Sequence, residues 1–225
     1  MTDLAPKPAP NPAPPTATDF ETLVRRAIVV SIHRLRRAAH RSAGNDRRHV
    51  ALDRWFAGFA AEVRGHLELA QSGLLPMLAA RGALDERALD AIAADHGWVD
   101  HLLGELGDAL GVLAFAFGDE ATWSARSATI ADELDLVVGG VLAREVRLLV
   151  PLALSYLDAD ERAELERIRR RDLVVHRAPF SLAWLGETLG DATEARILAG
   201  VPGPVRLMMR TRRRAYARTV DAALA

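Results

Sequence analysis

The placement of proline constrains this chain most. Between Thr16 and Ala178 only Pro76 and Pro151 occur, in a stretch rich in Ala, Leu, Arg and Glu. Proline removes a backbone donor and crowds the carbonyl four residues back, and its scarcity over so long a stretch predicts helix after helix. The two prolines also stand in matching contexts. Leu74-Leu75-Pro76-Met77-Leu78-Ala79 is echoed by Leu149-Val150-Pro151-Leu152-Ala153-Leu154. His66 lies ten residues before the first proline and Val141 ten before the second, while Ala70 and Glu145 lie six before each. The echo predicts two helices kinked in matching ways.

Residues 1–18 carry six of the eleven prolines and few large apolar side chains, which predicts a flexible, partly polyproline-II tail. The first helix is expected from about Asp19 to Ala43, stopping at Gly44-Asn45-Asp46, and the second from about His49 to Arg81. At 3.6 residues per turn, Leu52, Trp55, Phe59, Val63, His66, Ala70 and Met77 share one stripe of the second. The third is expected from about Asp85 to Phe117-Gly118, with Leu89, Ile92, His96, Val99, Leu103 and Leu110 inward and Asp100 beside His96. The fourth, from about Glu120 to Leu157, turns Ile130, Leu134, Val137, Val141, Glu145, Leu148 and Leu152 inward. Long amphipathic helices on short connections predict an all-α, up-down-up-down four-helix bundle over residues 19–157. In residues 158–225 a charged helix runs from Asp158 through Arg171. An apolar turn follows at Ala178-Pro179-Phe180 with Trp184, and Val201-Pro202-Gly203-Pro204 precedes a basic last helix. Its apolar residues are too few for a core of its own, so it is expected to pack on the bundle as a helical extension.

Composition removes several function classes. Twenty-nine basic residues nearly balance thirty acidic ones, which argues against a nucleic-acid-coating protein. With no cysteine, thiolate ligands, disulfides and thiol catalysis are excluded. No uncharged run approaches the ~20 apolar residues of a membrane span, and no basic-then-apolar leader opens the chain. A cytoplasmic protein that meets no membrane is the expectation. Neither a glycine-rich phosphate loop nor a nucleophile elbow is present. Arg210, Arg212, Arg213 and Arg214 read as a solvated helix face, and Trp55, Phe56 and Phe59 as core.

Chemistry is left to the polar residues on apolar stripes: His66, His96, Asp100 and Glu145, with His33 in Ile32-His33-Arg34-Leu35-Arg36-Arg37 of the first helix. Taken singly, a histidine there is a hydrogen-bonded core residue, Asp100 a solvated edge, and Glu145 a partner for Arg144 or Arg147. Jointly they are costly, because an unpaired buried carboxylate costs several kcal/mol against a total stability of ~5–15 kcal/mol. Imidazoles and carboxylates meeting between helices are how bundles hold non-haem metals.

The order of His33, of His66 ten before Leu-Leu-Pro's proline, of Ala94-Asp95-His96, and of Glu145 six before the second proline resembles the hemerythrin-like (HHE cation-binding) family. A bacterial branch with a C-terminal extension is similar also at Val201-Pro202-Gly203-Pro204-Val205-Arg206 and Arg213-Arg214-Ala215-Tyr216-Ala217-Arg218. The resemblance implies a four-helix bundle binding iron and a small diatomic or oxidant ligand. It makes His33, His66, His96 and Glu145 ligand candidates, with Asp100 where the family has a second helix-three histidine. Ala70 and Val141 stand where the family has a glutamate and a histidine, and His101 lies about 100° round the helix from Asp100. The expectation is therefore one iron rather than two, held by His33, His66 and Glu145 with His96 or Asp100 nearby, binding or sensing oxygen or a related small oxidant. A metal-free interaction or regulatory module on the same scaffold is the alternative. An enzyme using a mononuclear site is a third, without a substrate motif to argue for it.

Overall fold

The computed structural model describes residues 20–41, 44, 46–115, 118–171, 178–190 and 203–224, and every regular element among them is helical. The prolyl tail and Val201-Pro202 lie outside the described residues. Helix α1 spans Phe20–His40 and α2 Asp46–Leu69; a π turn at Ala70–Leu74 leads into α3, Leu75–Ala80. Helix α4 spans Glu86–Ala114 and α5 Glu120–Arg144; a second π turn at Glu145–Leu149 leads into α6, Val150–Tyr156. Then come α7 (Ala159–Arg171), α8 (Ala178–Leu189) and α9 (Gly203–Leu224). None of the described helices is long and apolar enough to cross a membrane.

The boundaries reflect local chemistry. Asp85 and Asp119 cap α4 and α5, their carboxylates accepting from the N–H groups of Ala88 (2.8 Å) and Thr122 (3.0 Å). Gly82 (φ +68°) ends the α3 segment and Gly190 (φ +88°) ends α8, each in the left-handed region that a side chain disfavours. Ala178–Leu189 is a helix and not the apolar turn expected around Phe180 and Trp184. Pro179 sits in its first turn, where a missing N–H costs nothing, and no further proline follows it within the helix; Gly186 keeps helical geometry, and the left-handed residue comes only at Gly190.

The prolines act on their helices in the same way. Pro76 and Pro151 offer no N–H to the carbonyl four residues back, and each helix lengthens one turn just ahead of the ring. The Leu75 N–H reaches the carbonyl of Ala70, and that of Val150 reaches Glu145, five residues back in both cases. The extra residue in each turn shifts the helical phase from there on. Leu75, Leu78 and Leu149 are buried, while Met77 is half-buried and Leu148 is 37% exposed, although the unbroken 3.6-residue pattern placed both on the inward stripe.

Helix α1 packs on α2 and α5, and α4 on α2 and α5, so these four surround one core. Ile28, Leu35, Trp55, Phe59, Leu103, Leu106 and Leu134 fill it, and Trp55 stacks on Phe59 with centroids 5.2 Å apart. The core continues into Trp184 and Leu185 of α8 and Tyr216 and Val220 of α9. Polar contacts fix this junction. Trp184 Nε1 donates to Ser31 Oγ (2.8 Å), Trp55 Nε1 donates to the Tyr216 hydroxyl (3.0 Å), and Arg34 Nη1 donates to both carboxylate oxygens of Glu187 (2.8 Å each). Burial raises the Tyr216 hydroxyl's pKa, which keeps it a neutral acceptor. A second, smaller cluster of Leu75, Leu78, Leu84, Ile92, Leu149 and Leu157 closes the end beside the prolines.

Candidate metal centre

Between the two clusters lies a line of buried charge. His66, in the last turn of α2, is 3% exposed. Its Nδ1 meets Glu21 Oε1 of α1, and its Nε2 meets Glu145 Oε2 at 2.8 Å. With a carboxylate on each side, both ring nitrogens donate and the ring is an imidazolium. Burial alone would lower the His66 pKa, but the charges and hydrogen bonds of Glu21 and Glu145 outweigh it and raise the value to about 9. Burial likewise pushes Glu21 up, and is outweighed by the charge and hydrogen bond of His66 and the charges of Arg169 and Arg25, which bring it to about 2. Glu145 is placed by the second π turn, of which it is the first residue, and is 5% exposed.

Two further groups complete the centre. His96 of α4 is 2% exposed, its Nε2 lying 3.8 Å from Glu145 Oε1. Neither ring nitrogen of His96, nor Glu145 Oε1, has a hydrogen-bond partner among the described residues. Burial lowers the His96 pKa, Glu145 raises it and His66 lowers it, so the ring stays neutral with a free nitrogen lone pair. Arg169 of α7, 1% exposed, brings Nε to 3.5 Å from Glu21 Oε2. Small cavities of about 10 Å³ flank the site, one lined by His96, Glu145 and Val141 and the other by His66, Val63 and Val141; each is the size of about one water.

The structure thus brings together His66, His96 and Glu145 and separates the other two candidates from them. His33 does not point at the axis: it is 56% exposed, with Nδ1 2.7 Å from Asp135 Oδ1. Ile28, Ile32 and Leu35 hold the inward stripe of α1, and His33 is one residue, about 100°, beyond Ile32. Asp100 is 60% exposed and accepts from Arg64 Nε at 2.6 Å, since Val99 takes the inward position. His101 is exposed as well and lies against Trp98, the rings tilted by 30° with centroids 5.0 Å apart. Glu145 does not bend outward; Arg144 pairs with Asp95 instead. Ala70 and Val141 are both buried, at 7% exposure each. Arg213 and Arg214 are exposed on α9, and the side chains of Arg210 and Arg212 lie outside the described residues.

Sequence reasoning missed Glu21 and Arg169. Glu21 carried a signal, since it precedes Val24 by three residues and Ile28 by seven and so continues their stripe. Arg169, in a helix dense with charge, carried none. As the side chains stand, no group of three or more His, Cys, Asp or Glu among the described residues is arranged to hold a metal ion. The side chains as arranged set the His66 ring between two carboxylates, Glu21 and Glu145. Compared with protein-family models, with curated proteins and with solved structures, the chain matches none of them.

Proposed function

We propose that the chain is a hemerythrin-like protein whose central site takes a single non-haem metal ion, iron by preference, to bind or sense oxygen or a related small oxidant. The observation that carries this reading is the unpartnered set at the centre: both nitrogens of His96 and one oxygen of Glu145, all buried, beside His66. Leaving such groups unsatisfied costs about 1–3 kcal/mol each, which a shared cation would recover. Two neutral imidazoles and one carboxylate suit a ferrous ion with open positions. His66, His96 and Glu145 would hold it, and the open positions would supply coordination for a small oxidant. A second ion has no support, because Val141 brings only carbon to the cavities beside His66 and His96, and Ala70 has no ligand atom to offer.

The fold supports the reading as a four-helix, up-down arrangement. Arg64 with Asp100 joins α2 to α4; Arg126 with Glu105 and Arg144 with Asp95 join α4 to α5 in opposite chain order. Short connections between long neighbouring helices have the same consequence. His66 must lose its proton to accept a metal, so the site exchanges one cation for another.

A second reading, a metal-free interaction or regulatory module, is favoured by that proton: the imidazolium already balances charge between two carboxylates. Elemental analysis after purification under reducing, iron-supplemented conditions separates the two. The metal reading predicts iron in the parent and in His33→Ala, and none in His66→Ala. Iron retained in His66→Ala would place the ion elsewhere, and an iron-free parent would favour the module.

A further inference from the structure

We propose that Glu21 is a positioning residue for the central site and that Arg169, from the helix beyond the four-helix core, fixes Glu21 in that role. The inference rests on reading the centre as a cation site and extends it to residues outside the ligand set. Three observations carry it. First, the cavity beside His66 is lined otherwise by apolar side chains, Ile28, Val63, Leu67, Val99 and Val138 among them, and the ring's hydrogen bonds among the described residues go to the two carboxylates, which determine which nitrogen faces which way. Second, Glu21 takes Nδ1 and thereby leaves Nε2 to Glu145, whose other oxygen lies 3.8 Å from His96 Nε2. A carboxylate on the far nitrogen of a histidine fixes both its tautomer and its ring plane, and enriches the nitrogen left for a ligand. Third, Arg169 is 1% exposed, yet neither Nη1 nor Nη2 has a hydrogen-bond partner among the described residues. A guanidinium is retained in so dry a place by the charge it faces, and Glu21 at 3.5 Å supplies it.

The site is therefore not confined to the four central helices. The order of influence runs from Arg169 on α7, through Glu21 on α1, to the His66 ring on α2. Docking of α7 and the orientation of the imidazole are coupled through two side chains outside the ligand set.

Two readouts on the full chain test this. In the metal-free chain, the His66 Nδ1 proton should give a slowly exchanging, downfield resonance in a ¹⁵N-edited NMR spectrum. It should persist in Glu21→Gln, whose amide oxygen still accepts, and vanish in Glu21→Ala. With Co(II) as the probe metal, Glu21→Ala should weaken binding about 10- to 100-fold, Arg169→Met by a smaller factor, and Glu21→Gln and Arg169→Lys should recover part of the loss. A resonance that survives Glu21→Ala, or Co(II) binding indifferent to both Glu21→Ala and Arg169→Met, would overturn the proposal. Should the parent chain take up no Co(II), the cation reading fails by itself and the resonance alone decides the role of Glu21.

Discussion

At the scale of residues, the centre is governed by one proton. His66 has its pKa raised from 6.5 to about 9, so its contribution to stability is complete below about pH 6.5 and is lost as pH rises through 9. Glu21 is lowered from 4.5 to about 2, so its contribution is complete above 4.5 and is lost as pH falls through 2. The metal-free chain should therefore be most resistant to urea between about pH 4.5 and 6.5, as far as this pair decides it. Raising the pH to about 9.5 should lower the midpoint, and in His66→Gln that decline should flatten; an equal decline in both chains would show that other groups cause it. His66, His96 and Glu145 were legible because each interrupts an apolar stripe that the rest of its helix defines. His33 and Asp100 sit one residue off their stripes, beside Ile32 and Val99, and there a motif resemblance spoke against the helical phase. Phase decided where they point.

At the scale of elements, the prolines matter for the turn they impose. Their repetition was visible in sequence, but the π turns were not, because hydrophobic spacing assumes a constant 3.6 residues per turn and each turn adds a residue. That is why Leu149 and not Leu148 is buried, and why Glu145 sits at the start of an irregular turn. Packing between elements supplies a sharper test. A Cβ on Gly58 of α2 would run into the ring of Phe180 on α8, whereas one on Gly104 of α4 meets nothing within 4 Å. Gly58→Ala should cost about 1–3 kcal/mol by overpacking. Gly104→Ala should gain up to about 1 kcal/mol by helix propensity. Urea denaturation reads both, and matching signs for the two variants would contradict the placement of α8 against α2.

At the scale of the molecule, α8 and α9 share the core of α1, α2, α4 and α5 through Trp184 and Tyr216, with Arg169 of α7 buried beside Glu21. Unfolding monitored by far-UV circular dichroism and by tryptophan fluorescence should coincide in one transition, since Trp55 and Trp184 belong to the same cluster. Two separated transitions would show the segments folding apart. The helical content and the four long segments were plain in the sequence. The junction was not, because Trp184, Phe180 and Tyr216 look like scattered apolar residues until Ser31, Trp55 and Gly58 are set opposite them. The most direct measurement is the stoichiometry of ferrous ion bound by the metal-free chain, titrated anaerobically at a pH of about 7.5. One ion per chain, with about one proton released as His66 gives up its charge, is the predicted result; no binding, or two ions per chain, would contradict the account.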